Sequence, residues 1–286
     1  MRPMEERRSA AFSYIHFLGT GGARFTTISQ IRATGGIWLS YDGFNFSIDP
    51  GPGALVRMKE LYPPHDPATL NGLLLSHRHI DHSNDVNVLT LAMTGGGRQK
   101  NGTVILPEDA ITGNEPILFR FLRSKVAHLT TWEDGKAIAL PGKASVEGVR
   151  LIHHGVDCFG FVFRHPSMPT WGLVSDTRMH ESLAHRFREC ELLVVNVTFE
   201  KPRPEIDHLS ISDVECLLDE LHPRMLVLTH LGRGLSEADP RALESRLSTA
   251  RTSVIMACDG MVVELSDLSL KEPAITASAK KGDDCP

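Results

Sequence analysis

The run Leu73-Leu74-Leu75-Ser76-His77-Arg78-His79-Ile80-Asp81-His82 carries an apolar stretch directly into three imidazoles and a carboxylate within six positions. Alternate residues of an extended segment point the same way. His77 and His79 can therefore reach one ion while the turning chain presents Asp81 and His82 to a second. Histidine is uncommon, and a buried strand seldom ends in so many ionisable groups unless a ligand satisfies them. The competing reading, a solvated His-rich turn, leaves that density unexplained.

Such groups need a scaffold that ends several strands at one place. Short β-branched and aromatic runs bounded by turn residues predict strands at 14–18, 37–41, 44–48, 73–76, 104–106, 149–153, 161–163, 172–175, 192–197, 225–229 and 253–256. Helical spacing occurs at 85–93, 116–126, 179–190, 213–221 and 240–250, the fourth with Val214, Leu217, Leu218 and Leu221 on one face. Ser212 with Glu215 reads as a capping box, and Asp239 before Pro240 as a helix start. The Gly-Thr-Gly-Gly run at 19–22 has no GxGxxG register and no helical run after it, so it reads as a tight turn. Strands outnumber helices about two to one in mixed order. That predicts an α/β protein of two packed mixed sheets with helices outside.

No linker, low-complexity run or repeat interrupts this pattern, so one domain is expected over 11–271, with flexible tails at 1–10 and 272–286. A chain of 286 residues with 41% hydrophobic content can bury the required core. The formal charge of −5 argues against a surface that neutralises many phosphates of a long nucleic acid. No window approaches a membrane span, and the N-terminus lacks a signal-peptide apolar stretch. Cys158, Cys190, Cys216, Cys258 and Cys285 show no C-x-x-C spacing, and their odd number leaves one unpaired in any scheme. A cytoplasmic protein in a reducing compartment is expected.

The order of His77, His79, Asp81 and His82 resembles the H-x-H-x-D-H motif of the metallo-β-lactamase superfamily, without a gap. The segment at 17–22 and the later Ile48-Asp49-Pro50-Gly51 look like the first strand-turn and the Asp-x-Gly turn of its ribonuclease Z branch. The resemblance implies the αββα sandwich of that superfamily. It also selects His154, six residues before Gly160, as the third histidine, leaving His153 beside the site or on the surface. Asp176, at the end of Leu173-Val174-Ser175-Asp176, would be the metal-bridging carboxylate, and His230, after Leu226-Val227-Leu228-Thr229, the last ligand. On that basis His77, His79 and His154 hold one ion, Asp81, His82 and His230 the other, and Asp176 bridges. Nitrogen and hard oxygen donors without thiolate favour zinc, with manganese or iron as alternatives. Two ions sharing a hydroxide lower the pKa of water from 15.7 to about 7, so a dinuclear hydrolase is expected, with Asp81 among its catalytic groups.

The block Pro204-Glu205-Ile206-Asp207-His208-Leu209-Ser210 is similar to one in ribonuclease Z and in cyclic-phosphate phosphodiesterases, and implies that His208 contacts phosphate and donates a proton. Two departures bear on the substrate. Only 155–175 separates the third histidine from Asp176, where bacterial ribonuclease Z carries a long arm for tRNA. Val195-Asn196-Val197-Thr198 stands where that branch has an acidic residue. The expected substrate is a small or cyclic phosphodiester; a lactonase or thioesterase and a ribonuclease Z-like endonuclease are the alternatives. Family precedent adds a homodimer. His16, His65, His128, His165, His180, His185 and His222 carry no ligand pattern, and Cys158 is expected to line the pocket or pack as a small apolar residue. Arg120, Arg123 and Lys125 read as a solvated face of the helix at 116–126.

Overall fold

The computed structural model describes residues 12–61 and 63–271; the tails expected at 1–10 and 272–286 lie outside the described residues. One sheet has the strand order Leu270–Lys271, Val262–Glu264, Tyr14–Phe17, Ile37–Tyr41, Phe44–Ile48, Gly72–Leu74, Asn101–Leu106 and Val126–Thr131. The other runs Ser253–Met256, Met225–Thr229, Leu192–Asn196, Met168–Val174, Val156–His165, Ser145–His153 and Ala137–Ala139.

The period-two geometry of strands explains the layering. In Met225–Thr229 every residue is buried. Val227 enters the core between the sheets, with Phe17, Leu39, Phe46, Phe161 and Trp171. Its neighbours Leu226 and Leu228 point the other way, against Val214, Leu217, Leu243 and Leu247 of the helices Ile211–Leu221 and Pro240–Leu247. The first sheet is covered likewise, with Leu73 and Val104 packing on Met58, Leu89 and Met93 of the helices Ala54–Glu60 and Val86–Met93. Each fully buried Leu or Phe contributes about 1.5–3 kcal/mol. The result is the expected αββα sandwich. Register starts at the turn Asp42-Gly43, where φ values of 52° and 81° give the primed hairpin geometry that matches strand twist.

Strand direction positions the site. Phe44–Ile48, Gly72–Leu74 and Asn101–Leu106 are mutually parallel, as are Met168–Val174, Leu192–Asn196, Met225–Thr229 and Ser253–Met256. Their carboxyl ends therefore emerge along one edge of the sandwich, where ligands of open α/β sheets collect.

Four local expectations need correction. Only Arg120–Arg123 is helical within 116–126, and Val126–Thr131 is a strand paired with Asn101–Leu106, because its β-branched run suits a sheet better than a helix. The helix expected at 179–190 shrinks to Leu183–Phe187. The capping box forms between Ser210 and Asp213, two residues before the pair chosen from sequence. A helix, Ala23–Ser29, does follow the glycine run. Its Thr and Ser side chains are poor helix formers that bond back to their own turn, Thr27 to the Ala23 carbonyl and Ser29 to that of Phe25.

Candidate metal centre

The site grows from chain ends. His77 lies just past Gly72–Leu74, His153 ends Ser145–His153, Asp176 follows Met168–Val174, and His230 follows Met225–Thr229. Asp81 and His82 sit in the single turn Ile80–Ser83. Among the described residues five overlapping groups of three ligand atoms result, including His77, His79 and His153 in one, Asp81, His82 and His230 in a second, and Asp176, His208 and His230 in a third. In the first, His79 Nδ1 lies 3.1 Å from His77 Nε2 and 3.0 Å from His153 Nε2. In the second, His82 Nε2 lies 3.1 Å from His230 Nε2, and Asp81 Oδ2 lies 3.4 Å from the latter. Asp176 Oδ2 stands between the triads, 3.3 Å from His82 and His230 Nε2, 3.7 Å from His153 Nε2 and 3.9 Å from His77 Nε2.

The third histidine differs from the sequence assignment. Burial along the strand alternates, Leu151 in, Ile152 out, His153 in, so the strand's own period turns His153 toward His77 and His79. His154 begins the turn with φ 43° and is exposed at the rim, its ring 6.2 Å from that of His79 and 5.8 Å from that of His208. It joins His153 and His208 in a separate group. The alternation was present in the sequence, and following it from Val149 would have selected His153.

The far side of each ring is fixed. His82 Nδ1 faces Asp49 Oδ2 at 3.0 Å and His153 Nδ1 faces the Asp207 carbonyl at 2.7 Å. These oxygens only accept, so each Nδ1 carries the hydrogen. Ser76 Oγ donates to Asp49 Oδ2 and is left to accept from His77 Nδ1 at 2.9 Å. Thr198 Oγ1 meets His230 Nδ1 at 3.2 Å. His77 and His153 thus turn bare Nε2 lone pairs inward, the arrangement of imidazoles prepared for a cation. Tetrahedral zinc with bonds of about 2.0–2.1 Å sets its nitrogen ligands about 3.3–3.4 Å apart, close to these spacings. The residues fit a divalent metal.

Electrostatics agree. Burial holds the pKa of His77 well below the ordinary imidazole value and pulls His79 and His153 down to about 4, so all three are neutral donors near pH 7. Burial also opposes charge on His82, but Asp176 and Asp81 outweigh it and hold its pKa well above the usual value. In the metal-free protein a proton on His82 thereby answers the carboxylates. Burial would raise Asp81 and Asp176, yet the surrounding imidazoles keep both carboxyl groups below the usual range.

Backbone strain concentrates here: Ala23, Asp49, His154 and His230 are non-glycine residues with positive φ. The Ala23 N–H donates to Asp81 Oδ2 at 3.0 Å. A Cβ on Gly22 would strike the His230 ring, which explains a glycine there. Asn196 and Thr198 occupy the stretch marked above as lacking an acid, and Asn196 Nδ2 donates to Asp176 Oδ1 at 2.8 Å. His208 Nδ1 lies 3.6 Å from Asp176 Oδ2 and 3.3 Å from Thr198 Oγ1, at the edge of the cluster, and burial lowers its pKa to about 4. Cys158 packs behind, its Sγ 3.2 Å from the Asp176 carbonyl, and burial keeps the thiol protonated.

Two sheets meeting at an edge lined by histidines and aspartates define a metal-centre protein of the metallo-β-lactamase fold. The chain belongs to the β-lactamase superfamily: the "Beta-lactamase superfamily domain" family matches residues 45–231. It is 30% identical over 259 residues to the uncharacterized protein MJ1374 of Methanocaldococcus jannaschii, covering 88% of this chain and 94% of that one. Among solved structures it is similar to the metallo-β-lactamase fold protein YhfI of Bacillus subtilis, at 16% identity and a TM-score of 0.70 over 88% of this chain and 99% of that one. A diphosphatase of the PhnP family aligns at 18% identity and a TM-score of 0.63, covering 91% and 100%. The short form of human tRNase Z aligns at 16% and 0.63, covering 88% and 99%.

Proposed function

We propose that the protein is a dinuclear metal-dependent phosphodiesterase acting on a small or cyclic phosphodiester. The observation that carries this reading is the pair of donor triads around one carboxylate oxygen, Asp176 Oδ2, with His208 at the edge. His77, His79 and His153 would hold one divalent ion, Asp81, His82 and His230 the second, and Asp176 would face both; zinc suits this donor set best. When bound, two such ions supply a water that ionises near neutral pH and positive charge for phosphoryl oxygens.

The chain's own residues do the rest. Asn196 fixes the Asp176 carboxylate through one hydrogen bond, Asp49 and Thr198 orient His82 and His230, and the Ala23 N–H steadies Asp81. His208 stands 3.6 Å from Asp176 Oδ2 at the edge of the cluster, where, protonated by the approach of an anionic phosphate, it would donate to the leaving-group oxygen. The short 155–175 connection, mostly the strands Val156–His165 and Met168–Val174, supports small substrates over tRNA.

The test is a screen of zinc- and manganese-loaded protein against cyclic and linear phosphodiesters, phosphomonoesters, lactones, thioesters and precursor tRNA. Hydrolysis of diesters alone is expected. Turnover of lactones or thioesters without diesters, or efficient tRNA 3′ trimming at physiological salt, would replace the reading.

A further inference from the structure

We infer that Asp207 is a positioning residue that couples the proton donor His208 to the metal ligand His153. Asp207 touches two segments that lie far from it in sequence. Its carbonyl accepts from His153 Nδ1 at 2.7 Å. Its Oδ2 accepts the His154 N–H at 2.7 Å, and that oxygen lies 3.9 Å from His154 Nδ1. Its Oδ1 stands 4.0 Å from Arg178, two residues past Asp176. His208 follows it directly in the chain, and its ring centre is 4.9 Å from that of His153.

The two short bonds do different things. The carbonyl accepts and never donates, so it fixes the hydrogen of His153 on Nδ1 and leaves Nε2 bare toward His79 Nδ1. The carboxylate pins the turn in which His154 takes a left-handed φ of 43°, a conformation unfavourable for a non-glycine residue unless its surroundings hold it. Pinning that turn keeps the Asp207 carbonyl within reach of His153. Because the same residue precedes His208, a shift of the 204–210 loop moves the proton donor and releases the metal ligand together. Arg178 and the His154 ring sit farther off and add charge without a close bond.

This inference rests on the proposed reaction only for the His208 arm; the His153 arm concerns metal binding alone. The experiment therefore has two readouts on full-length Asp207→Ala and Asp207→Asn: zinc affinity of the metal-free protein by chelator competition, and kcat on an alkyl against a p-nitrophenyl phosphodiester. Asp207→Ala should weaken the less tightly held zinc by about 10–100-fold. It should also lower kcat more on the alkyl ester than on the aryl ester. Asparagine keeps an acceptor for the His154 N–H, so Asp207→Asn should stay within about threefold of the parent on both. Unchanged zinc affinity and rate in a folded Asp207→Ala would overturn the inference. Equal damage in both variants would also overturn it, since charge toward Arg178 would then be the active element. A parent protein inert to every phosphodiester would sink the proposed reaction, and the zinc titration would still decide the His153 arm.

Discussion

Asn196 Nδ2 donates to Asp176 Oδ1 at 2.8 Å, which commits one carboxylate oxygen and leaves Oδ2 to face the Nε2 atoms of His77, His82, His153 and His230 at 3.3–3.9 Å. The bond orients the carboxylate that stands between the two triads. Asn196→Ala should leave the fold intact and weaken metal affinity about 10–100-fold, read by zinc competition titration. Asp176→Ala should go further, losing an ion and lowering kcat by about 10³-fold or more. A variant at 176 that kept two ions and ordinary turnover would place the shared carboxylate elsewhere.

His153 and His154 give the sharpest contrast between neighbours. His153→Ala should bind one equivalent of zinc where the parent binds two. His154→Asn, which tolerates the left-handed backbone, should retain both. Elemental analysis after gel filtration distinguishes them, and the opposite pattern would restore His154 as the ligand.

His208→Ala should leave both ions in place and slow turnover. General acid catalysis is typically worth about 10²–10⁴-fold, so kcat on a diester with a poor alkyl leaving group should fall by that order. A p-nitrophenyl ester, whose leaving group departs readily as the anion, should lose less. Equal losses on both substrates would mean that His208 binds phosphate and does not donate to the leaving oxygen.

Acid stability should depend on a pair remote from the site. His16 Nδ1 lies 2.7 Å from His65 Nε2, and His65 stacks on Trp38 at 4.3 Å between ring centres. Burial pulls His16 down to about 4 and His65 to about 3, against about 6.5 in an unfolded chain. As pH falls below about 6.5 the unfolded chain takes up protons that the folded one refuses, so stability present above that pH is lost toward pH 4. Urea unfolding of metal-free protein at pH 7.5 and pH 5 should show a larger loss in the parent than in a His16→Leu/His65→Phe double variant. Equal losses would show that the pair is not the origin of the acid sensitivity.

The sequence alone determined whatever depends on near neighbours. His77, His79, Asp81 and His82 lie within one strand-to-turn segment, so their clustering follows from the local backbone. Met225–Thr229 and Ser253–Met256 read correctly as strands because continuous apolar runs are what doubly covered strands require. The helix Ile211–Leu221 was visible in its apolar spacing, although its cap was placed two residues late. Tertiary structure decided the rest. Asp49 reaches His82 across 33 positions, Asn196 reaches Asp176 across 20, and Asp207 reaches His153 across 54. No local pattern specifies those pairings; they arise because parallel strands of two sheets deliver their carboxyl ends to one edge. The choice between His153 and His154 lay between these extremes. It turned on the phase of one strand, and a one-residue change of phase sends a side chain to the opposite face.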